Sequence, residues 1–386
     1  MRTYERQRGL LRAPRLLWDV AVRGRYDFVY DQMPMTVRRM SPAKRANLIR
    51  SGANLLHRRL RPWSMPLHMQ FELTSFCNLR CPICPTGIRA VERRAQVLDV
   101  DLFRDVLAEV GPHLLTASLW GWGEPLLHPQ LADALRAIEP YGCATLLSTN
   151  GQNLDDERVI SALLAAPPTY LILAIDGLTD ETNSRFRIGA KLAPILDGVR
   201  RITALRRERG GVLPVLHMRF IVMKHNQHEV PQLLDFARAH GFDLLSVRTL
   251  SIIDTESETP HRELVPDDPA YRAYAYDAGT RAARSDYVCF EPFWFPTLFA
   301  DGTLVACEQD YNAQQSLGVI GNGVGFRDLW YGEHARSIRR RIREEANALS
   351  FCRNCPYRDR ETTDCSIAAH VLNPEIDYRT LVGGTL

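Results

Sequence analysis

Residues 69–85 of the chain, MQFELTSFCNLRCPICP, join a short run of alternating apolar residues to a loop with three cysteines. Cys77, Cys81 and Cys84 have the spacing C-x3-C-x2-C. Three thiolates on one short loop can bind three irons of a cubane [4Fe–4S] cluster and leave the fourth iron without a protein ligand. An open metal position lets a substrate or cofactor bind and react. The loop therefore predicts a reactive metal centre, with zinc completed by a distant fourth ligand as the alternative.

Strand and helix patterns alternate between about residue 66 and residue 250. The predicted strands are Met69–Leu73, Thr116–Trp120, Ala144–Ser148, Tyr170–Ile175, Val215–Met223 and Leu244–Leu250. The predicted helices run from Asp99 or Asp101 to Gly111 and over Pro129–Tyr141, Asp155–Ala165, Pro194–Arg209 and Glu229–His240. Such alternation indicates a parallel sheet covered by helices. Six units are too few for a closed eight-stranded barrel, so we predict an α/β fold with a partial (β/α)6 barrel.

Polar or glycine-rich loops follow four of the predicted strands. They are the cysteine loop, Gly121-Trp122-Gly123-Glu124-Pro125, Ser148-Thr149-Asn150-Gly151 and Asp176-Gly177. In folds of this type, ligands bind at the carboxyl ends of the strands. We therefore expect these four loops to meet at one rim of the barrel.

The cysteine loop after a first strand resembles the signature of radical S-adenosylmethionine (SAM) enzymes, and the resemblance extends over residues 66–250. The loop at residues 121–125 resembles the family's glycine-rich loop for the methionine amino group, and its glycines would let the backbone approach that ligand. Arg187 resembles an arginine that grips the SAM carboxylate, a task that suits a bidentate guanidinium. The SAM-binding residues implied by the resemblance are Gly121, Gly123, Glu124, Ser148, Asn150, Asp176 and Arg187.

The resemblance also implies a reaction. SAM would bind the open iron of a [4Fe–4S] cluster on Cys77, Cys81 and Cys84. The reduced cluster would cleave SAM to a 5′-deoxyadenosyl radical, which abstracts hydrogen from an unactivated carbon. The electron would come from a flavodoxin- or ferredoxin-type donor, while the protein positions the substrate and excludes water.

Four more cysteines belong to a second, smaller unit, which contains a predicted hairpin at Asp301-Gly302 and a predicted helix over Phe326–Arg343. They are Cys289, Cys307, Cys352 and Cys355. This set resembles the SPASM/twitch auxiliary domain of many radical SAM enzymes, in its one-cluster form. Four thiolates make a closed site, as in an electron-transfer [4Fe–4S] cluster, although a zinc ribbon suits them equally. Cys365 is a fifth candidate ligand, and Cys143 is expected to be a buried thiol.

These patterns divide the chain into a basic, helical N-terminal arm (1–65), the partial barrel (66–250), a linker (251–288), an auxiliary cluster domain (289–366) and a C-terminal tail (367–386). Residues 1–65 carry 15 Lys/Arg and 4 Asp/Glu, a net charge of +11, which leaves −8 for the other 321 residues of a chain with net charge +3. The arm is expected to lie as a solvated face on the acidic body, or to meet an anionic membrane surface or an acidic partner. Nucleic acid is the less favoured ligand.

The composition indicates a cytoplasmic protein, peripheral to the membrane if the arm binds lipid. No run of 18 apolar residues predicts a membrane-spanning helix, and the arginine-rich N-terminus does not resemble a signal peptide. In a chain of 386 residues of this kind, nine cysteines indicate metal ligands or buried thiols rather than disulfides.

The favoured function is a radical SAM oxidoreductase, of dehydrogenase or epimerase type, that acts on a small polar metabolite such as a sugar or aminocyclitol. A peptide-modifying maturase is the second hypothesis, disfavoured because residues 1–65 lack the strand alternation expected of a domain that binds a leader peptide. A lipid-directed radical SAM enzyme is the third, favoured if the arm binds a membrane. The non-enzyme alternative is a structural zinc or electron-transfer iron–sulfur protein. The sequence assigns neither the substrate nor the general base.

Overall fold

The computed structural model describes residues 13–30, 33–57, 59–252, 263–277, 280–282, 289–353, 355–360, 366–378 and 381. Cys365 lies outside the described residues, as do residues 253–262 and 283–288 of the predicted linker. The eight described cysteines are free thiols.

The N-terminal arm consists of two helices around a β-hairpin. Its elements are α1 (Ala13–Ala21), β1 (Tyr26–Tyr30), β2 (Met33–Val37) and α2 (Pro42–His57). The expectation that this arm lacks strand alternation is wrong, since β1 and β2 pair antiparallel. Met35 and Val37 are buried on either side of Thr36, whose hydroxyl donates to Asp27 Oδ1 at 2.6 Å. The alternation of apolar and polar residue types over five-residue strands is too short to predict a hairpin in an arginine-rich sequence.

Six parallel strands, paired in chain order, form the middle of the main sheet and confirm the predicted α/β architecture. They are β3 (His68–Phe71), β4 (Thr116–Leu119), β5 (Ala144–Thr149), β6 (Tyr170–Ala174), β7 (Val215–Val222) and β8 (Leu244–Thr249). In the register of the sheet, His68 of β3 pairs with Thr116 of β4, and Thr116 pairs with Ala144 of β5. Tyr170 of β6 pairs with Val215 of β7. The carboxyl ends of all six strands therefore point the same way.

Helices connect these strands. They are α3 (Val100–Val110), α4 (Leu131–Ile138), α5 (Glu157–Ala165), α6 (Asp180–Phe186), α7 (Leu192–Glu208) and α8 (Leu233–Ala239). Asp99 caps α3 as predicted, because its carboxylate accepts from Asp101 N at 3.0 Å and Leu102 N at 2.8 Å. Helix α6 was not predicted; Thr179 caps it through the backbone N–H of Thr182. Helix α8 is shorter than predicted, since Pro231 lies in a 3-10 turn before it.

The parallel strands bury apolar side chains on the face that packs against the helices. Phe71, Leu119, Leu173, Phe220 and Val247 all belong to one apolar core with residues of these helices. The alternate residues point to the opposite, inner face of the sheet. On that face Arg219 of β7 lies over the ring of Trp120, which follows β4, at 6.0 Å. A contact across two intervening strands shows that the inner face is concave.

The amino ends of the six strands are covered by a second apolar cluster. Leu67, Leu115, Ala144, Tyr170, Val215 and Leu244 stand at the start of the six strands and all belong to it. The N-terminal arm contributes Val20, Met35, Val37 and Met40, and the C-terminal segment contributes Ile376 and Tyr378. The described residues of the N-terminal arm and of the C-terminal segment therefore close the end of the barrel that lies opposite the predicted site.

The C-terminal part of the chain extends the same sheet at both edges. Its strands are β9 (Tyr276–Asp277), β10 (Thr280–Arg281), β11 (Thr297–Leu298), β12 (Thr303–Val305), β13 (Ser316–Val319) and β14 (Ser366–Val371). Strands β11, β12 and β13 follow β3 outward, β14 pairs antiparallel with β8, and β9 pairs with β10 alone. The antiparallel pairing of β11 with β12 confirms the predicted hairpin.

The predicted helix over Phe326–Arg343 is broken at Gly332. It forms α9 (Phe326–Tyr331) and α10 (Glu333–Glu344), followed by α11 (Ser350–Arg353). Gly332 has φ −64° and ψ 159°, an extended conformation that ends one helix and begins the next. Strand β11 of the C-terminal part pairs with β3 of the predicted barrel, so the two parts share one sheet. The predicted domain boundaries stay a prediction.

A buried ion pair ties helix α7 to the edge of the sheet. Arg206 donates to both carboxylate oxygens of Asp243 at 2.6 and 2.7 Å, and both side chains are less than a tenth exposed. Asp243 also accepts from Leu216 N at 2.8 Å and from the Asn373 side chain at 2.9 Å. The carboxylate thus holds a helix, two strands and the C-terminal segment together.

We expect Asp243→Asn to lower the free energy of unfolding by about 3–5 kcal/mol, because it leaves the Arg206 charge buried without its partner. Urea denaturation under anaerobic conditions measures this change. The matched control is Asp133→Asn, which breaks an exposed Arg136–Asp133 pair of 3.3 Å and should cost less than about 1 kcal/mol. Equal destabilisation by the two variants would contradict the assignment.

Candidate active site

The three cysteines of the first loop lie directly after β3, at the carboxyl end of the strands. The loop folds back on itself: Cys84 N donates to Cys81 O at 3.2 Å, and Leu79 N donates to the Cys77 sulfur at 3.4 Å. A Cβ at Gly87 would lie 2.2 Å from the Cys81 carbonyl oxygen, so only glycine fits there. This close turn brings the three thiols to one place.

The electrostatics of the loop agree with three neighbouring thiols. Burial raises the pKa of Cys77 to about 12, the Leu79 backbone lowers it, and Glu124, Cys81 and Cys84 raise it further. Within the described residues, no group of three or more His, Cys, Asp or Glu side chains is spaced to hold a single metal ion. Three close sulfur donors suit an iron–sulfur cluster, whose irons are ligated by cysteine thiolates.

The glycines of the loop at residues 121–125 are required by packing within the chain. A Cβ at Gly123 would lie 2.0 Å from the Thr74 carbonyl oxygen, and one at Gly121 would lie 2.7 Å from the Glu72 side chain. The glycine-rich loop therefore rests against the segment that leads into the cysteine loop. Packing within the chain therefore explains why glycine is needed at both positions, whereas the sequence analysis explained it by the approach of a ligand. Contact of these glycines with SAM stays a prediction.

The Glu124 carboxylate is buried and joins two rim loops. It accepts from the Thr149 hydroxyl at 2.6 Å, from Asn150 N at 2.8 Å and from Leu126 N at 3.0 Å. Its own backbone N–H donates to Phe76 O at 2.8 Å. Burial raises the pKa of Glu124, and the three donated hydrogen bonds lower it. Glu124 is placed to position these loops, since both its oxygens are already used.

The polar turn after β5 faces the cysteine loop, as predicted. Asn150 Nδ2 lies 3.6 Å from the Cys77 sulfur and donates to Asn78 Oδ1 at 2.7 Å. Ser148 is partly exposed on the inner face, next to strand residues that are buried. The structure therefore brings Asn150 to the thiols and leaves Ser148 facing the concave space.

Asp176 and Arg187 form an ion pair beside the cysteine loop. Arg187 Nε donates to Asp176 Oδ2 at 2.7 Å, and Ile221 N donates to the other carboxylate oxygen at 2.8 Å. Burial raises the pKa of the Cys81 thiol, and the neighbouring Arg187 guanidinium lowers it. Arg187 is thus held at the rim next to a thiol rather than at the outer surface.

Sequence reasoning missed a second buried ion pair, between Glu72 and Arg93. Arg93 donates to both Glu72 oxygens at 2.8 and 2.9 Å and lies 3.6 Å over the ring of Phe299. Glu72 also accepts from Trp122 N at 3.3 Å and Ala300 N at 3.2 Å. The sequence signal is an acidic residue inside an apolar strand. The pair connects the cysteine loop, the glycine-rich loop and the C-terminal hairpin.

The second set of cysteines also gathers in one place. Burial raises the pKa of Cys307 well above its usual range, and the nearby Cys289 and Cys355 raise it further. Burial raises the pKa of Cys352 to about 12, with Cys355 as the next cause. The indole of Trp122 in the glycine-rich loop donates to the carbonyl of Glu308, the residue after Cys307, at 3.0 Å. One hydrogen bond therefore bridges the two cysteine-bearing regions.

The concave inner face below the rim is lined by polar side chains. These polar residues alternate along their strands with apolar residues of the outer core. They are Gln70, Ser118, Ser148, His217, Arg219, Ser246 and Arg248. His217 Nε2 lies 2.8 Å from the Ser246 hydroxyl, and neither amide atom of buried Gln70 has a hydrogen-bond partner among the described residues. Trp120, Ser148, Arg219 and Arg248 are partly exposed, so solvent reaches this space. A polar, solvent-reached space beside the thiols can hold a hydrophilic ligand.

Comparison with known proteins shows which families and structures this chain resembles. The radical SAM superfamily model matches residues 71–237. A tungsten-containing aldehyde ferredoxin oxidoreductase cofactor-modifying protein of Pyrococcus furiosus is 30% identical over 186 residues, 47% of this chain and 51% of the relative. The PqqA peptide cyclase of Gluconobacter oxydans is 27% identical over 178 residues, 46% of this chain and 48% of the relative. The chain spans about half the length of the curated relatives it matches.

Solved structures share the fold. Streptococcus suis SuiB bound to S-adenosylmethionine has a TM-score of 0.55 at 16% identity, covering 80% of this chain and 76% of SuiB. The anSMEcpe structure with bound AdoMet has a TM-score of 0.50 at 15% identity, covering 78% of this chain and 93% of that one. At these identities the likeness concerns the fold alone. Residues 71–237 therefore match the radical SAM superfamily model, and the chain shares the fold of these two structures with bound AdoMet.

Proposed function

We propose that the protein is a radical SAM oxidoreductase that acts on a small polar metabolite, such as a sugar or aminocyclitol. The polar inner face of the parallel strands carries this proposal. Ser118, Ser148 and Ser246 come from three different strands of that face, and the amide atoms of buried Gln70 have no partner within the part of the chain that the structure describes. Such a lining favours a substrate held by hydrogen bonds over an apolar one, because a buried amide without a partner, such as that of Gln70, is costly.

The superfamily's cofactors are a [4Fe–4S] cluster and SAM. We assign the cluster to Cys77, Cys81 and Cys84, whose thiols are neighbours on one loop. When bound, these cofactors supply the one-electron chemistry that breaks an unactivated C–H bond. The protein supplies the positions of the groups around them.

Residues of the rim support this assignment by their contacts. Asn150 reaches the Cys77 sulfur and Arg187 lies at Cys81, so an amide and a guanidinium flank the thiols. The guanidinium, aligned by Asp176, suits the carboxylate of SAM. Glu124 fixes the loops on which the predicted SAM residues stand.

We infer a second role for the C-terminal cysteines. Cys289, Cys307, Cys352 and Cys355 would hold an auxiliary [4Fe–4S] cluster of SPASM/twitch type that accepts the second electron of a substrate oxidation. The hydrogen bond from Trp122 to Glu308 supports a fixed relation between the two cysteine sets. A flavodoxin- or ferredoxin-type protein would supply the first electron. Cys365 stays a candidate ligand outside the described residues.

The two arginines on the inner face favour a substrate with an anionic group, such as a phosphate or carboxylate. Arg219 pairs in register with Ser246, and Arg248 with Ile221, so the two side chains share one face of adjacent strands. Both are partly exposed to the concave space. Guanidinium groups bind carboxylate and phosphate through paired hydrogen bonds, and Trp120 next to Arg219 offers a flat apolar surface for a ring.

A peptide-modifying maturase is the second candidate function. It is favoured by the relative named PqqA peptide cyclase and by the hairpin found in the N-terminal arm. A peptide substrate would still need to enter the polar space beside the first cysteine set. The difference between the candidates is therefore one of substrate size, which can be measured directly.

Replacing a cysteine of the first loop tests the chemistry. Anaerobic protein reduced with dithionite in the presence of SAM should release 5′-deoxyadenosine, and Cys84→Ala should abolish this release because the cluster loses a ligand. Cys143→Ala is the matched control, since Cys143 lies near Lys44, away from both cysteine sets. Release of 5′-deoxyadenosine by the Cys84 variant would exclude the assigned triad.

Iron analysis tests the second cysteine set. The wild-type protein should hold about eight irons with matching sulfide, and Cys352→Ala should lower this to about four while SAM cleavage continues. About four irons in both proteins would contradict an auxiliary cluster. Zinc without sulfide in the wild-type protein would instead support the non-enzyme alternative.

Fractionated cell extract tests the substrate class. We expect the small-metabolite fraction, and not the peptide fraction, to stimulate release of 5′-deoxyadenosine by the wild-type protein. Arg219→Gln and Arg248→Gln should each raise the amount of fraction needed by about tenfold or more, because each removes a charged hydrogen bond to the substrate. Basal SAM cleavage should remain.

Arg136→Gln, on the outer surface of α4, is the matched control for these substitutions. Stimulation by the peptide fraction alone would favour the maturase. An unchanged response of both arginine variants would exclude their part in binding the substrate.

A further inference from the structure

Exposed apolar side chains are concentrated on helices α1 and α2 and the segment that follows them. Leu17 is 53% exposed, Trp18 57% and Leu56 81%. We call the following residues the α1–α2 surface: Leu16, Leu17, Trp18, Val22, Ile49, Leu56 and Trp63. Monomeric proteins seldom expose apolar side chains in such groups unless they bind something. None of the helices described in the structure is long and apolar enough to cross a membrane.

Contacts within the arm connect the parts of the chain that carry these residues. Trp18 and Val22 are one helical turn apart, and the Arg45 guanidinium donates to the carbonyls of Ala21 at 3.1 Å and Val22 at 3.4 Å. Arg45 lies one turn before Ile49, which is two turns from Leu56. The ring of His57 then contacts the edge of Trp63 at 6.0 Å. The α1–α2 surface thus runs from the first helix to the segment that enters the barrel.

The segment that carries this surface is strongly basic. The described residues between 13 and 65 include ten Lys/Arg and only two Asp. Both acidic side chains are engaged, Asp19 by Arg23 at 3.0 Å and Asp27 by Arg25 at 2.8 Å. Arg59 lies 4.1 Å over the ring of Trp63. Leucine and tryptophan side chains among arginines are the composition of helices that lie in the interface of an anionic bilayer.

We propose that the α1–α2 surface docks on an anionic lipid bilayer. The aliphatic and indole side chains would enter the boundary between headgroups and acyl chains, and the surrounding arginines would meet lipid phosphates. An acidic protein would offer carboxylates to the arginines, but it would need a matching apolar groove for side chains spread over two helices. A bilayer covers such a surface without a matching shape.

The position of the arm in the fold determines how a docked protein would be oriented relative to the bilayer. Lys44 of α2 donates to the carbonyls of Tyr141 at 2.7 Å and Gly142 at 3.0 Å, just before β5, and Asn47 donates to Met65 O at 3.2 Å, just before β3. Helix α2 therefore lies at the amino ends of the strands, whereas the cysteine loop follows their carboxyl ends. A bilayer on the α1–α2 surface leaves the rim open to the aqueous side. Membrane docking then localises the enzyme and does not deliver an acyl chain to its site, which argues against the lipid-directed hypothesis.

Vesicle binding tests this docking. The full-length, cluster-loaded protein should co-sediment with vesicles of phosphatidylglycerol and phosphatidylcholine, and not with phosphatidylcholine alone, and added salt should weaken the binding. The double substitution Leu17→Glu and Trp18→Glu should abolish sedimentation. Val319→Glu, at a 58% exposed valine on β13, is the matched control and should bind as the wild type does.

Three results would overturn the proposal. The first is no sedimentation with anionic vesicles, which would leave an acidic protein as the occupant. The second is equal loss of binding in the Val319 variant. The third is a dimer in light scattering that the Leu17/Trp18 variant converts to a monomer, which would make the surface a contact between two copies of the chain.

A second readout tests the orientation independently of the proposed chemistry. Vesicle-bound protein should release 5′-deoxyadenosine from SAM at the rate of free protein, since the rim faces away from the bilayer. A marked fall on binding would overturn the orientation. Failure of SAM cleavage in both states would concern the proposed function and leave the vesicle result valid.

Discussion

The buried carboxylate of Glu124 is the interaction on which the candidate site depends. It is the acceptor for the Thr149 hydroxyl and for the backbone N–H groups of Asn150 and Leu126. The Glu124 backbone N–H donates a hydrogen bond to the carbonyl of Phe76, the residue before the first cysteine. Loops that follow three neighbouring strands are thus held together by one residue, through its carboxylate and its backbone N–H. A charge buried in this way is stable only because its hydrogen bonds replace those of water.

The ion pair of Glu72 and Arg93 extends this arrangement to the C-terminal part of the chain. Glu72 accepts from Ala300 in the C-terminal hairpin as well as from Trp122 at the rim. The neighbouring strand β11 pairs directly with β3. The two cysteine-bearing regions are therefore connected through one sheet and through side chains between its loops. A fixed spacing of this kind is what electron transfer between two bound clusters would require.

The two ends of the parallel strands have opposite chemistry. Thiols, polar loops and two inner-face arginines lie toward the carboxyl ends, while an apolar cluster and a basic arm close the amino ends. This polarity follows from the parallel arrangement, which gives all loops of one kind to one end of the sheet. It separates the cysteine-bearing rim from the α1–α2 surface, so that the proposed chemistry and the proposed docking use different faces of the molecule.

The sequence by itself determined the six strands, the cysteine spacing and the loops after each strand, because alternation, turn residues and motif spacing are local properties. It predicted that residues 121–125, 148–151 and 176–177 meet the cysteine loop, and the contacts of Glu124 and Asn150 agree with this. Only the tertiary structure decided which atoms these residues bind. Contacts between separate parts of the chain include the pair of Asp176 with Arg187, the hydrogen bond of Glu72 with Ala300, and the packing of the N-terminal hairpin against the amino ends of the strands. Such contacts depend on how strands stack and curve, and no local pattern of residues contains them.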